Sequence, residues 1–191
     1  MNFVSREHKR CCFHGIEPEL LKLQAELIGI DLIQREVSPD MDTYEAEFKS
    51  AVRELMAKGA RSMIFGDVYL IDHASWVERV ANELGIEPVE PLWDVPAEKV
   101  VEEFVDAGFR AVIVSCKADL LDDSFIGRTI DRKIISEFRD RGICPCGENG
   151  EFHTLVVDGP VFKRTIEILE GSPVLKDGFW KHWFLDIKRY R

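Results

Sequence analysis

An eight-residue stretch, 147–154, constrains this chain more than any other part of its sequence. It reads Gly-Glu-Asn-Gly-Glu-Phe-His-Thr and gathers two carboxylates, an amide, an imidazole and a hydroxyl. Its glycines, Gly147 and Gly150, allow the backbone angles of a sharp turn. The residues from Glu151 to Val157 then follow the pattern of a β-strand that ends in a Gly-Pro turn. This is the composition of a site rather than of a core.

The predicted strand decides which polar side chains meet. Because side chains alternate across a strand, Glu151 and His153 should share one face, and Phe152 and Thr154 the other. If the Phe152 face is buried, Glu151 and His153 stand together beside the turn, as a base with its partner or as a grip on a polar ligand. The alternative is a solvated turn followed by an edge strand, since most polar turns carry no chemistry.

This stretch, together with the Val-Asp-Gly-Pro-x-Phe that follows it at 157–162, resembles the signature of the diphthine–ammonia ligase family. That family consists of ATP-binding proteins related to the PP-loop ATP pyrophosphatases. Shorter matches in the expected order extend the resemblance through most of the chain: His14-Gly15-Ile16, Gln24-Ala25, Tyr44, Phe65-Gly66-Asp67, Trp76, Pro91-Leu92-Trp93, Gly108-Phe109 and Gly127-Arg128. A motif of this length with ordered supporting matches is a specific signal.

The resemblance implies an ATP-dependent amidation. A substrate carboxylate attacks the α-phosphorus of ATP, pyrophosphate leaves, and ammonia displaces AMP from the acyl adenylate. Such chemistry needs neutralised phosphates, a positioned carboxylate and a base for ammonium. The implied cofactor is ATP with Mg. The implied partners are a nucleotide and a carboxylate substrate, for which a protein-borne diphthine is one candidate.

The site residues are carried over by position. The catalytic candidates are Glu148, Glu151 and His153, with Glu151 favoured as the base. The substrate contacts are expected at Gly147, Asn149, Thr154 and Arg128, and the nucleotide contacts at Gly66 and Asp67. Asp67 also follows a predicted buried strand, and ligands of open parallel sheets bind at the carboxyl ends of strands. A loop-capping carboxylate is the alternative for Asp67.

Hydrophobic periodicity predicts two halves. Residues 1–95 alternate strands with helices that begin near Glu17, at Asp42 or Thr43, and near Ala74, an α/β pattern with a parallel sheet. The resemblance makes this half an open sheet of the PP-loop or adenine nucleotide hydrolase type, truncated at its N-terminus. Residues 96–191 predict a smaller mixed α+β domain.

The second half has its own elements. Its helices are expected at 96–107 and 131–141, and a strand buried on both faces at 109–116. Residues 162–170 and 180–190 alternate polar with apolar side chains, with a turn at Gly171-Ser172-Pro173 after the first run. These two runs predict an antiparallel pair.

One feature of the resembled family is absent from the sequence. Its phosphate loop, Ser-Gly-Gly-Lys-Asp-Ser, places backbone amides around the phosphates, and no two glycines are adjacent in these 191 residues. The Phe3-Val4-Ser5 segment aligns with the family's second strand, so the loop is expected upstream of Met1, and truncation and natural loss both remain open. Activity should be impaired without it. The open strand edges should close on each other or be covered by a second subunit, which makes a homodimer an option.

Composition excludes some classes of partner. With 35 acidic and 25 basic residues the formal net charge is −10, the wrong sign for holding phosphate backbones, so no nucleic acid is expected. No apolar run approaches the length of a membrane span and no leader is evident, which predicts a cytoplasmic chain without a membrane partner. The five cysteines fit reduced thiols better than a disulfide framework.

Two other functions remain open. The chain could be a non-catalytic remnant of the family that binds a nucleotide or a partner. It could also be a zinc module, since Cys144, Cys146, His153 and the Cys11-Cys12-x-His14 cluster supply suitable donors. The Cys-Pro-Cys spacing is unlike that of structural zinc sites, so no metal site is expected.

Overall fold

The structure is a computed structural model that describes residues 1–38, 40–177 and 181–191, and it confirms a mixed α/β protein. Its elements in chain order are β1 (Asn2–Ser5), α1 (Pro18–Ile28), β2 (Gln34–Val37), α2 (Met41–Ala57), β3 (Ser62–Ile64), α3 (Ile71–Leu84), β4 (Glu87–Val89), α4 (Ala97–Asp106), β5 (Arg110–Lys117), a 3₁₀ turn (Asp123–Phe125), α5 (Arg132–Asp140), β6 (Phe152–Asp158), β7 (Ile168–Asp177) and β8 (Lys181–Tyr190).

Local signals fix most helix ends. Pro18 opens α1, and Gly29 ends it in the left-handed conformation at φ 76°. Helix α2 begins before the predicted caps, because the Asp40 side chain accepts a hydrogen bond from the Thr43 amide at 2.9 Å. Within the described residues, no helix combines the length and the apolar character that crossing a membrane requires.

The strands of the first half form two parallel pairs instead of the predicted single open sheet. β1 pairs with β2, and β3 pairs with β4. No described strand bonds the two pairs together, so the strand edges do not close on each other. These strands are only three or four residues long, and each offers few backbone groups for a wider sheet. Periodicity identified the strands, but tertiary contacts set their pairing.

The second half contains a four-stranded antiparallel sheet in the order β6-β5-β8-β7. The predicted buried strand is confirmed in β5, where residues 111–116 are all buried. The predicted antiparallel pair is confirmed as β7 and β8, but the predicted bounds of its first strand are wrong: β7 begins at Ile168 rather than at 162, and residues 171–173, the predicted turn, lie inside it. An edge strand such as β7 tolerates glycine and proline at bulges, and its register shifts beside Gly171. Trp180, the predicted start of the last strand, lies outside the described residues.

Helix α1 packs on the sheet of the second half rather than beside the strands that flank it in sequence. Leu20 and Leu27 are buried in the large hydrophobic cluster built around β5, and the Gln24 amide donates to the Val156 carbonyl at 2.6 Å. A smaller cluster holds α2 and α3 against β1 and β2. The loop that precedes α1, residues 11–16, is therefore held against the sheet.

Candidate functional site

A cleft of about 820 Å³ opens where three segments meet. One wall is residues 146–150, the second is the loop after β3 with the start of α3, and the third is residues 13–14. The starts of β6 and β8 and the end of β5 form its floor. Of the predicted site residues, the lining includes Asp67, Gly147, Glu148, Asn149, His153 and Thr154. Gly66, Glu151 and Arg128 lie outside that lining.

We call residues 144–151 the signature turn, and its shape depends on glycine. Gly147 has φ 69° and Gly150 has φ 72°, a region that side-chain-bearing residues rarely adopt. A Cβ on Gly147 would lie 2.7 Å from the carbonyl oxygen of Phe152, whereas one on Gly150 would meet only the end of Lys117 at 3.8 Å. Gly147 is buried and its amide bonds to the Cys144 carbonyl at 2.9 Å, so it shapes the turn.

Glu151 is directed into the signature turn. Its side chain is buried, with 6% of the residue exposed. One carboxylate oxygen accepts from the Cys144 amide at 3.2 Å and from the Asn149 side-chain amide at 2.9 Å, and the other accepts from the Asn149 backbone amide at 3.0 Å. These bonds satisfy backbone donors that the turn would otherwise leave unpaired. The carboxylate therefore braces the turn from inside.

The predicted pairing of Glu151 with His153 on an open face is not what the structure shows. Strand β6 begins at Phe152, and Leu155 and Val157 on the His153 side are buried. The register also shifts between Ile113 and Ser115 of β5, which places Ser115 opposite His153. A register shift of this kind re-aims side chains locally. The alternation rule assumed a regular strand, and this one is irregular.

Glu148 and Asn149 clasp the signature turn to the loop after β3. The Glu148 carboxylate accepts from the backbone amide of Val68 at 2.8 Å, across 80 residues of sequence. The Asn149 side chain donates to the Tyr69 hydroxyl at 3.0 Å. Burial, followed by the neighbouring Cys144 thiol, raises the pKa of Tyr69 to about 12, so this hydroxyl stays protonated. Two motifs far apart in sequence thus border one cleft.

The predicted nucleotide residues follow β3, as expected from sequence, but the prediction that this strand is buried is wrong, since Ser62 and Ile64 are exposed. Asp67 lines the cleft, and its carboxylate lies 2.9 Å from Nδ1 of His73. Gly66 lines a smaller apolar pocket of about 210 Å³ that also touches Glu148 and Thr154. The position of Asp67 at the carboxyl end of a parallel strand matches the place where such sheets bind ligands.

Three histidines, His14, His153 and His182, lie on the other side of the cleft. Of these, only His153 was among the predicted site residues. The rings of His14 and His153 lie 5.0 Å apart. Burial, followed by the neighbouring charges of His14, His182 and Lys117, lowers the pKa of His153 to about 4. Burial also lowers the pKa of His14. At neutral pH the His153 imidazole is therefore uncharged, able to donate one hydrogen bond and accept another.

Lys117 is a cleft residue that the sequence did not reveal. It ends β5 opposite His182 of β8, and its ammonium donates to the Asn149 carbonyl at 2.9 Å. No motif marks Lys117, because only the register of the sheet brings it beside the signature turn. His14 could have been found, since it lies in one of the short family matches.

Arg128, the predicted contact for a phosphate or carboxylate, points elsewhere. Both terminal nitrogens of its guanidinium donate to the Glu137 carboxylate at 2.7 Å, and its carbon lies 4.8 Å from the centre of the Phe125 ring. A bidentate pair of this kind occupies the fork that would grip an anion. The position of Arg128 therefore does not support the predicted ligand contact. Lys117, in contrast, is a basic residue in the cleft lining.

The cysteines are built into the packing. Cys146 donates to the Ala97 carbonyl at 2.9 Å, and burial raises the pKa of its thiol to about 12. Burial also raises the pKa of Cys116 to about 12, and this residue is fully buried. In the part of the chain that the structure describes, no group of three or more His, Cys, Asp or Glu side chains could hold a metal ion. The zinc alternative therefore lacks a donor cluster there.

Fold and site together define a mixed α/β protein with a polar cleft between a parallel-stranded half and an antiparallel half. Two family models match it in succession: the diphthamide synthase N-terminal domain over residues 1–88 and the diphthamide synthase C-terminal domain over residues 96–191. The chain belongs to the diphthamide synthase family, and the resemblance inferred from the signature is confirmed.

Curated relatives agree with this family. The chain is 33% identical to a human diphthine–ammonia ligase over 103 residues, which are 52% of this chain and 38% of the human protein. It is 30% identical to a Schizosaccharomyces pombe diphthine–ammonia ligase over 115 residues, 59% of this chain and 19% of that protein. A mouse diphthine–ammonia ligase is 29% identical over 119 residues, 59% of this chain and 45% of the mouse protein. The chain thus spans less than half of each relative.

Proposed function

We propose that this chain forms the substrate cleft of an ATP-dependent carboxylate–ammonia ligase of the diphthine–ammonia ligase type, which releases AMP and pyrophosphate. The observation that carries the proposal is the 2.8 Å bond from the Val68 amide to Glu148. It joins the signature turn to the loop that bears Gly66 and Asp67. A carboxylate bound at the turn would therefore face a nucleotide bound at the end of β3.

The polar residues of the cleft divide into two groups in this proposal. Glu148 and Asn149 hold two walls together, and Glu151 braces the signature turn, so all three position the reacting groups. His153, Thr154 and Lys117 offer donors to the substrate carboxylate and to the acyl adenylate that follows. A preformed set of donors stabilises charge that develops in the transition state. The base role of Glu151 stays a prediction, and Glu151 variants test it below.

The nucleotide side of the proposal concerns the residues that follow β3. Gly66 and Asp67 would lie beside ATP, and Mg would arrive with its phosphates, because Mg²⁺ is usually held by one or two carboxylates together with substrate phosphates. Asp67 is the carboxylate at hand. Since the sequence holds no Gly-Gly loop, we propose that turnover of ATP requires a phosphate loop from another segment.

The domain boundary at 95/96 is likewise a proposal, supported by two family models that end at 88 and begin at 96. The hydrophobic clusters divide the chain differently, since Leu20 of α1 belongs to the cluster of the second half. A fragment that starts at residue 96 would lack that helix. We therefore propose that residues 96–191 need α1 in order to fold fully.

We also propose that the chain can form a homodimer. The described strands of the first half support this, because their two pairs do not join into one sheet. An unpaired strand edge favours association with another strand. Sedimentation equilibrium of the 191-residue chain would decide it, with a monomer at all concentrations as the contrary result.

The test of function is ammonium-dependent AMP formation from ATP. The 191-residue chain would be assayed beside a fusion that adds an upstream segment with the Ser-Gly-Gly-Lys-Asp-Ser loop of the resembled family. The candidate substrates are carboxylic acids, with a diphthine-bearing protein among them. We expect AMP from the fusion and a strong loss in its Glu148→Ala variant, with Val161→Ala, whose side chain is exposed outside the cleft lining, as a matched control.

The second candidate function is nucleotide or partner binding without turnover. The absence of a Gly-Gly pair favours it. Saturable ATP binding by both chains without ammonium-dependent AMP would support it and overturn the ligase proposal.

A further inference from the structure

Phe13 has an unusual backbone and an unusual exposure. Its φ is 64°, a region that a bulky residue rarely adopts, and 71% of it is exposed. The His14 amide donates to the Cys12 carbonyl at 2.7 Å and closes a three-residue turn around it. With a positive φ at its centre this is the rare and strained kind of γ-turn. Neither local preference nor burial explains Phe13 at this position.

The surroundings hold the strained turn in place. The Ser115 hydroxyl, fully buried in β5, donates to the Phe13 carbonyl at 3.1 Å. The Gly15 amide bonds to the Cys11 carbonyl at 2.9 Å. Gly15 also packs so closely on the ring of Phe184 that an added Cβ would lie 2.4 Å from it. A strained backbone that its neighbours impose from several sides occurs most often at ligand sites.

The turn places the Phe13 ring in the cleft lining. Its centre lies 6.1 Å from that of His153, whose other neighbour is His14 at 5.0 Å. The same cleft contains the Lys117 ammonium. An apolar ring thus borders a floor that carries positive charge. A ligand that combines a flat ring with an anionic group would match both features.

We propose that Phe13 is a stacking platform for a planar ring of the cleft's ligand, with the anionic group of that ligand towards Lys117. The inference rests on the proposed function, and it specifies the substrate as an acid whose carboxylate is carried by a planar ring system. Stacking would cover a ring that is exposed in the free chain. Phe13 would select the substrate, and the turn would keep the ring in place before binding.

The test compares two acids of similar size on the nucleotide-free 191-residue chain. The probes are 2-naphthoate, which is flat, and decahydro-2-naphthoate, which is puckered, each titrated by NMR through the His153 ring resonances. We expect 2-naphthoate to bind roughly 3- to 10-fold more tightly, the range that aromatic pairing supports. Phe13→Leu should remove that preference, and Phe13→Tyr and the control Val161→Ala should keep it.

Thermal unfolding excludes a packing role for Phe13. Asparagine tolerates the left-handed region, so Phe13→Asn should leave the melting temperature unchanged or raise it while it abolishes the preference for 2-naphthoate. A clear drop in the melting temperature would make Phe13 a structural residue and overturn the proposal. Equal affinity of the wild-type chain for both acids, or no saturable binding of either, would also overturn it.

These readouts are independent of the ligase reaction. If the 2-naphthoate preference depends on Phe13 but no chain forms AMP, the stacking proposal stands and the ligase proposal fails. If the fusion forms AMP and Phe13→Leu leaves its KM for the acid unchanged, the stacking proposal fails alone.

Discussion

Two of the three walls of the cleft, the signature turn and the turn at Phe13, differ in backbone strain and in exposure. In the signature turn the polar groups bond to one another: Glu151 is buried and accepts three hydrogen bonds, and Gly147 supplies the backbone angle at no steric cost. In the facing wall Phe13 has a strained backbone and an exposed ring. The polar groups of the signature turn are thus paired and its backbone is unstrained, whereas the Phe13 turn is strained and its ring is exposed.

This difference shows that the residues of a recognisable sequence motif and the residues that line a cleft need not be the same. The glutamates that make the signature recognisable direct their carboxylates at backbone amides, of Val68 across the cleft and of Cys144 within the turn. The cleft lining also includes Lys117 and Phe13, which lie outside the signature. Part of the lining is thus not recognisable from the signature.

Substitution of Glu151 should have the largest effect on the stability of the signature turn. We expect Glu151→Ala to lower the free energy of unfolding by roughly 3 to 5 kcal/mol, because buried backbone donors lose a charged acceptor. Glu151→Gln keeps an acceptor oxygen and should lose less. Urea unfolding measures both. If Glu151→Ala unfolds like the wild type yet abolishes AMP formation by the fusion, Glu151 is the base and not a brace.

Alanine substitutions at the two glycines of the signature turn distinguish backbone strain from steric crowding. Gly147→Ala should cost roughly 2 to 4 kcal/mol, since a left-handed angle and a contact with the Phe152 carbonyl add together. Gly150→Ala has a similar φ but open space, so it should cost about 1 to 2 kcal/mol. Chemical denaturation of the pair gives the difference. Equal losses would mean that the turn relaxes around the added methyl group.

His153, in the floor of the cleft, makes the stability of the folded chain depend on pH. The folded pKa of His153 is about 4, below its unfolded value near 6.5, so the unfolded chain binds the proton first. Stability is full above pH 6.5, declines as the pH falls from 6.5 to 4, and levels off below that. The His153 contribution to this decline is on the order of 2 to 3 kcal/mol. Denaturation of the wild type and of His153→Gln at several pH values measures it, and identical slopes would contradict the buried, neutral imidazole.

The smallest expected effect concerns the clasp. Glu148→Ala should cost only about 1 to 2 kcal/mol, because its carboxylate is half-buried and water can replace it at the Val68 amide. Hydrogen exchange at Val68 should nevertheless accelerate, and Glu148→Gln, which keeps an acceptor, should not show this. If the Val68 amide exchanges equally in all three chains, the clasp does not exist in solution.

The family, the helices, most of the strands and one wall of the cleft could be predicted from the sequence. Helix α1 begins at Pro18, next to the predicted start near Glu17, and residues 111–116 form the buried strand that their apolar run indicated. These features follow from local stereochemistry and periodicity, which act over a few residues. The signature was recognisable for the same reason, since its turn is encoded in contiguous residues.

Which groups meet in the cleft depends on the tertiary structure. The register of β5 against β6 and β8 brings Lys117 and His182 near His153, and Glu151 lies before the start of β6, where its carboxylate bonds into the signature turn. Helix α1 crosses to the sheet of the second half and carries the Phe13 turn with it. Such contacts join residues a hundred or more positions apart, as Ser115 and Phe13 or Gln24 and Val156 are. They depend on packing and strand pairing, which no local pattern specifies.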